Sequence, residues 1–358
     1  GYKYYKILKK RRKNTMKKIL LINITVFIFI LTIIEIIFGY WFKDNNFGIY
    51  VRSERNVKEI ISFEHNENKL KHIYIRNFYA FRGEDFKPSE VQIVFLGGSG
   101  GNQRLTPENL TIVGNLNLFL KNDNTKLKIY NASTDGKSTR GYVNDFLYWF
   151  PKIPNFKPKV FIFYIGVNDS NPYPEWAKHY DLKLADNTIL KIRDYIKNNS
   201  FTFELIKKVE DKYLPKVTSA YITTNERLYE NFNFIDFAEA KKKYSNIELN
   251  NQEKKMIIAF KDRLINLNIQ ILKYNIYPIF ITQIQYDGVR DHYLFLIIQE
   301  LKKFCEENDY SIIALDEITS EFDKNDFYDT VHTTVTGSNK IAKIIYPKLV
   351  KILKQMGL

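Results

Sequence analysis

Four short segments of this chain carry side chains that could do acyl-transfer chemistry. They are Gly97-Gly98-Ser99-Gly100-Gly101-Asn102, Asn131-Ala132-Ser133-Thr134-Asp135-Gly136, Gly166-Val167-Asn168-Asp169 and Asp329-Thr330-Val331-His332. A serine nucleophile needs a base, a group that orients the base, and donors for the oxyanion. Ser99 stands among glycines, which leave its hydroxyl unobstructed. His332 can take the serine proton. Asp329, three residues earlier, can hold the other ring N–H and set the tautomer. The backbone N–H groups of Ser99 and Gly136 and the side-chain amide of Asn168 make three oxyanion donors. Gln283, at the end of an apolar run, and Asp169 are further candidates for lining a substrate cleft. Asp169 could equally orient the Asn168 amide or cap its loop.

These segments need a frame that brings them together. Residues 91–96 (VQIVFL), 126–132 (KLKIYNA), 159–166 (KVFIFYIG), 276–284 (IYPIFITQI) and 310–316 (YSIIALD) are short apolar runs rich in β-branched and aromatic residues. They read as strands buried on both faces, as in a parallel sheet. Helical patterns lie between them at 106–121, 139–150, 251–274 and 291–307, with a last one at 336–355. This alternation predicts a three-layer α/β/α sandwich with a mostly parallel, flavodoxin-like sheet. The reactive segments then fall at the carboxyl ends of strands, where ligands gather in such sheets. Residues 171–250 break the rhythm and read as an insertion, patchily helical at 182–197, 201–214 and 237–244. Tyr173, Trp176 and Tyr180 within it could stack on a sugar ring or simply pack.

The N-terminus reads differently. Residues 1–18 hold nine Lys/Arg and no acid, and residues 19–42 form a strongly apolar run with a single charge, Glu35. A helix of 24 residues is about 36 Å long, enough to cross a hydrocarbon core of about 30 Å. Tyr40 and Trp41 suit the interface at its end, and the basic head predicts a cytoplasmic N-terminus. The rival is a cleavable signal peptide, whose apolar region is ~7–15 residues and ends in small side chains. The reading is therefore a basic cytoplasmic head (1–18), a transmembrane signal-anchor helix (19–42), a linker and lead-in (43–89), and a domain over 90–358. Met16 could be the native start. Glu35 is expected to sit near the outer interface and reach for water.

Several function classes fall away. Of 54 basic and 40 acidic residues, the head takes nine bases, leaving 45 against 40. The basic excess thus belongs to the anchor, and no nucleic-acid partner is expected. The single Cys305 and five histidines offer no metal-ligand spacing, so no metal and no organic cofactor are expected. His65, His72, His179 and His292 read as packing or surface residues, and Asp316 as a structural carboxylate. The glycine-rich loop lacks both phosphate-binding patterns, Gly-x-x-x-x-Gly-Lys-Ser/Thr and Gly-x-Gly-x-x-Gly.

The four blocks, in this order, resemble those of the SGNH (GDSL-type) hydrolases, a group of esterases, lipases and carbohydrate acetylesterases. Ser99 in FLGGSGG, Gly136 in NASTDGKSTRG, Asn168 in YIGVND and His332 in YDTVHTTVTG match the four residues that name the family. Asp329 and His332 match its Asp-x-x-His block, with Gly337 and Ala342 at the usual spacing. The lead-in IRNFYAFRGEDFKPSEVQIVFLGGS is similar to a membrane-anchored subgroup, with Ala80 where Gly is common, followed by Phe81 and Arg82. The resemblance covers about 90–345. It departs at Gly98, where the family usually has Asp, and at Gly100 and Gly101, where larger residues are common and the doubled glycine would loosen the turn. It implies a membrane-anchored, extracytoplasmic serine esterase that takes acyl groups, O-acetyl foremost, from a cell-surface glycan or related ester through an acyl-enzyme on Ser99. An O-acyltransferase with a sugar acceptor is the alternative. A catalytically silent surface protein for glycan assembly is the alternative of another class. Protein partners are not legible.

Overall fold

The computed structural model describes residues 2–42, 55–65, 68–170, 188–214, 216–222 and 235–358. They fall into two compact units, 1–52 with 185–214 and 53–184 with 215–358. Tyr173, Trp176, His179 and Tyr180 lie outside the described residues.

In chain order the strands are β1 (Val57–His65), β2 (Asn68–Arg76), β3 (Ile93–Leu96), β4 (Ile129–Asn131), β5 (Val160–Ile165), β6 (Lys216–Ile222), β7 (Tyr277–Thr282) and β8 (Ser311–Ile313). The helices used below are α1 (Tyr2–Phe38), α2 (Ser99–Asn102), α3 (Ile112–Asn122), α4 (Thr139–Asn144), α5 (Thr188–Asn199), α6 (Phe201–Tyr213), α7 (Phe237–Tyr244), α8 (Asn251–Tyr274), α9 (His292–Glu307) and α10 (Val335–Gln355).

The main sheet of the second unit has five parallel strands in the order β4-β3-β5-β7-β8. This is the flavodoxin-like order, and its topological switch point lies between β3 and β5. Alternation along each strand builds two different cores. Val160, Ile162 and Tyr164 of β5, with Ile279 and Ile281 of β7, pack under α3 and α10 against Leu116, Ile341 and Ile345. Phe161 and Phe163 face the other way. Phe163 stacks on Phe280 at 5.2 Å, and Phe146 approaches Phe161 at 5.0 Å. Strands β3 and β5 are therefore apolar and buried at every position, because each face meets a helical layer.

Helix boundaries follow their caps. Asn250 and Glu253 form a capping box at the start of α8, and Asn275 ends it in the left-handed region. The helix expected over 106–121 begins at Ile112, where the Thr111 side chain accepts from Gly114 N–H. The helix expected over 139–150 is α-helical only to Asn144. It widens into a π turn over 145–149, then a 3-10 turn over 150–152. Pro151 has no N–H to continue the ladder, and the wide turn buries Phe146, Trp149 and Phe150 together.

The stretch read as a linker contains a hairpin. Strand β1 pairs antiparallel with β2 and parallel with β6, making a three-stranded sheet. Its buried face carries Glu59, Ile61, Phe63 and His65. Two polar residues at those inward positions masked the period-two pattern. The 171–250 segment is thus divided: β6 joins the small sheet, while α7 packs Ala240 and Tyr244 against Val289 and Phe295.

In the first unit, α1 contains an apolar span at Lys13–Phe38, none of it buried. Glu35 does not reach for water. Its carboxylate accepts from Trp41 Nε1 at 2.9 Å, Ser200 Oγ at 2.8 Å, Phe201 N at 3.1 Å and Thr202 N at 2.8 Å. It satisfies N–H groups that the first turn of α6 cannot pair internally.

Candidate active site

The nucleophile loop leaves β3 at the switch point. Gly97 and Gly98 lead into α2, which starts at Ser99, and Gln103 closes that turn with φ 47°. The loop after β5, the other strand at the switch point, carries Asn168. The loop after β4 carries Gly136. Since β4, β3 and β5 are neighbours in the sheet, the three segments expected to supply oxyanion donors come out side by side. His332 precedes α10, whose Thr334 cap accepts from Gly337 N–H at 3.2 Å.

The structure brings Ser99, His332 and Asp329 into one hydrogen-bonded line. Ser99 Oγ lies 2.7 Å from His332 Nε2, and His332 Nδ1 lies 2.6 Å from an Asp329 oxygen. The other Asp329 oxygen accepts from Val331 N at 2.8 Å and His332 N at 2.7 Å. Burial alone would raise the Asp329 pKa. The hydrogen bond and charge of His332, with these two N–H groups, outweigh it and hold the carboxyl below its ordinary value. An ionised carboxylate on Nδ1 leaves Nε2 able to accept the serine proton.

Asn168 donates one N–H to the Lys137 carbonyl at 2.8 Å, and an amide nitrogen has a second. That nitrogen lies against the nucleophile loop: a Cβ built on Gly98 would stand 2.0 Å from it. A Cβ there would require the Asn168 side chain to shift. Gly136 occupies the third position of a turn closed by Lys137 N–H to the Thr134 carbonyl. Its φ of +72° is one that glycine adopts without strain.

The doubled glycine after Ser99 sits against close neighbours. A Cβ on Gly101 would lie 2.5 Å from Ser133 Oγ, and one on Gly100 would lie 2.9 Å from the Gln283 amide nitrogen. Both glycines are sites of close approach. Gln283 is buried, and its Oε1 accepts from Val167 N–H at 2.8 Å. It joins two site loops and does not line a cleft. Asp169 is 3% exposed and turned into the fold, away from any role in lining a cleft. It accepts from Thr139 N at 3.1 Å and pairs with Arg263 at 3.2 Å. Burial raises its pKa against the pull of Arg263 and Thr139. Asp316 is fully buried and held by Thr282 at 2.7 Å and Lys302 at 2.6 Å.

Several supporting residues were not singled out from the sequence. Buried Arg76 donates to the Ser133 carbonyl at 2.7 Å and also to the Ala80 carbonyl. Arg82 donates to the carbonyls of Asn102, Gln103 (2.7 Å) and Thr106 (2.6 Å). Gln103 reaches Thr333 Oγ1 at 2.9 Å and Ser338 Oγ at 2.6 Å, tying the nucleophile loop to the histidine block. Tyr328 stacks on His332 with centroids 5.5 Å apart, and Phe63 of β1 packs behind it at 5.2 Å. The small sheet therefore buttresses the imidazole. The sequence signal for the two arginines was the lead-in IRNFYAFRG, and polar type alone does not show which way a side chain turns.

A parallel α/β sheet with a serine, histidine and aspartate joined at its carboxyl edge defines an SGNH-type serine hydrolase. The chain belongs to the GDSL-like lipase/acylhydrolase family, whose sequence profile matches residues 93–345. Solved structures with a similar fold include TesA, at 9% identity and a TM-score of 0.41, covering 72% of this chain and 97% of that one. A lipolytic G-D-S-L protein from Veillonella parvula matches at 12% identity and a TM-score of 0.39, covering 71% and 95%. The acetylxylan esterase Axe2 from Geobacillus stearothermophilus, as a catalytic mutant, matches at 14% identity and 0.39, covering 72% and 94%. No curated protein matches the sequence.

Proposed function

We propose that this protein is a membrane-anchored esterase that takes acyl groups, O-acetyl foremost, from a cell-surface glycan or related ester outside the cytoplasm. The observation that carries the chemistry is the continuous line from Ser99 Oγ through His332 to Asp329, at 2.7 and 2.6 Å. Ser99 attacks the ester carbonyl as its proton passes to His332 Nε2. The resulting oxyanion takes hydrogen bonds from Ser99 N–H, Gly136 N–H and Asn168. The C–O bond to the alcohol then breaks, and His332 returns the proton to that alcohol. Water attacks the acyl-Ser99 ester, again losing a proton to His332, and the free acid leaves as Ser99 is reprotonated. Asp329 keeps the imidazole oriented through both halves.

The anchor is supported by the apolar span Lys13–Phe38 behind a basic head. The contacts of Glu35, Phe38 and Trp41 with α5 and α6 support its retention over its removal as a signal. Positive charge at the N-terminus supports an extracytoplasmic domain.

The test uses the full chain in detergent with a fluorophosphonate probe and intact-mass readout, beside Ser99→Ala and His332→Ala. One adduct on the wild type, absent in Ser99→Ala and slowed by several orders of magnitude in His332→Ala, is expected. No adduct on folded protein would refute the mechanism and favour a silent surface protein. Release of acetate from acetylated oligosaccharides without an added acceptor is expected next. Release that requires a sugar acceptor would make the protein a transferase.

A further inference from the structure

Within the first unit, α5 and α6 are consecutive helices joined at Ser200 and fastened to the Gly39 end of the apolar span. Glu35 of α1 caps α6, as described above. Tyr40 N–H donates to the Asn199 carbonyl at 2.8 Å, at the turn between the two helices. Phe38 meets Phe201 at 5.2 Å, and Trp41 meets Tyr195 edge-on at 5.8 Å.

Both helices are amphipathic, and their apolar faces are uncovered. In α5, Ile189, Ile192 and Ile196 recur at the three- and four-residue spacing of one helical stripe. Ile189 is 79% exposed and Ile192 55%. In α6, Leu205, Val209 and Tyr213 form the equivalent stripe with Ile206 beside it, each at least half exposed. Among the described residues neither stripe joins a hydrophobic core, and both share a unit with α1, whose apolar surface is also bare. An apolar groove of about 410 Å³ continues from α1 to Tyr195, lined by Ile28, Leu31, Ile36, Trp41 and Phe42.

We infer that α5 and α6 are an interfacial membrane helix pair, with their apolar stripes seated in the lipid beside the exit of α1. The inference rests on the proposed anchoring of α1. The occupant is a bilayer surface because the exposed stripes share one compact unit with a helix that itself needs lipid and are tied to its end through Glu35, Phe38 and Trp41. Tyr40, Trp41 and Tyr195 gather where the two meet, as aromatics do at the hydrocarbon boundary. Over 188–213 the chain has six basic and four acidic residues. So small an excess makes apolar burial, not attraction to anionic headgroups, the main source of binding. Such helices seat ~5–10 Å into the boundary. The helix pair would give the protein a second, in-plane hold on the membrane and fix how α1 exits it.

The experiment uses the full chain in phosphatidylcholine vesicles with ten per cent phosphatidylglycerol, on the order of the anionic content that the weak charge excess calls for. Single cysteines at Ile189, Leu205 and Val209 carry an environment-sensitive fluorophore, with Ile30→Cys as the span control and Lys208→Cys as the polar-face control. Native Cys305 is buried and its thiol is pushed up to about 12 by burial, so it stays unlabelled. Nitroxide lipids quench from near the headgroup or from the chain end. Circular dichroism checks that each variant is folded. Strong quenching of Ile189→Cys, Leu205→Cys and Val209→Cys by the shallow nitroxide, little at Lys208→Cys, and chain-end quenching at Ile30→Cys are expected. High salt should leave the pattern intact. Quenching at Ile30→Cys alone overturns the helix-pair proposal and leaves the anchor standing. A shielded but unquenched stripe that becomes exposed on dilution of protein among vesicles also overturns it, in favour of a second copy of the chain. No quenching at any position refutes the anchor and the helix pair together.

Discussion

Gly98→Ala should disable the site by displacing Asn168. Gly98 has a negative φ, −79°, and the nearest obstacle to a methyl group is a side chain. It is the Asn168 amide nitrogen, 2.0 Å from where the methyl would stand, against an ordinary contact of 3.4–4 Å. One of them must move by about 1.4 Å to reach that limit. Displacements of ~1 Å cost on the order of 10²-fold in rate. The side chain is the part that can yield, and in yielding it loses its 2.8 Å bond to the Lys137 carbonyl. Loss of one oxyanion donor costs ≈ 2.7–4 kcal/mol, about 10²–10³ in kcat. KM should change little, since the lost interaction forms in the transition state. The assay is steady-state hydrolysis of an aryl acetate by the wild type, Gly98→Ala, Asn168→Ala and the double variant. If Gly98→Ala acts through Asn168, the double variant is no slower than the worse single one. Multiplicative losses, totalling ~10⁴ or more, would mean independent effects. That result, or a Gly98→Ala enzyme at the wild-type rate, would refute the reasoning.

Two further expectations come from backbone and charge. Ala80 is buried with φ +66°, which is strained by roughly 1–2 kcal/mol for a side chain with Cβ. Ala80→Gly should therefore stabilise the fold by about 0.5–1 kcal/mol after the added entropy of the unfolded chain. That raises Tm by ~2 °C in thermal unfolding, and a fall in Tm would contradict it. Asp329 has its folded pKa depressed by His332 and two N–H groups. Its contribution to stability is fully present above the unfolded value of ~3.9 and is lost as pH falls through the lower folded value. Asp329→Asn should flatten the fall in stability below about pH 4, measured by denaturant unfolding across pH, and parallel slopes would disprove that role.

Much of this protein is legible in its sequence because local chemistry dictates it. Near-continuous apolar runs such as Val160–Ile165 admit only a strand covered on both faces. Helices α8 and α9 begin where Asn250 and Asp291 cap them. The four reactive blocks are short segments whose residue types suit acyl-transfer chemistry, and their order is legible through the family resemblance. Turning direction and long-range pairing are not local. Asp169 and Gln283 look like cleft residues in sequence, yet each faces a partner about a hundred residues away, Arg263 or Val167. Strand β1 hides its register behind Glu59 and His65, because inward polar residues are tolerated only once partners such as Arg104 and Lys216 arrive from distant segments. Glu35 reads as a lone acid in an apolar helix until α6 supplies N–H groups from over 160 residues away. Composition and spacing therefore determined which residues could react and which segments could be strands, helices or a membrane span. Only the tertiary structure decided which polar side chains are reactive and which are struts, since a buried polar group's role depends on the partner that satisfies it.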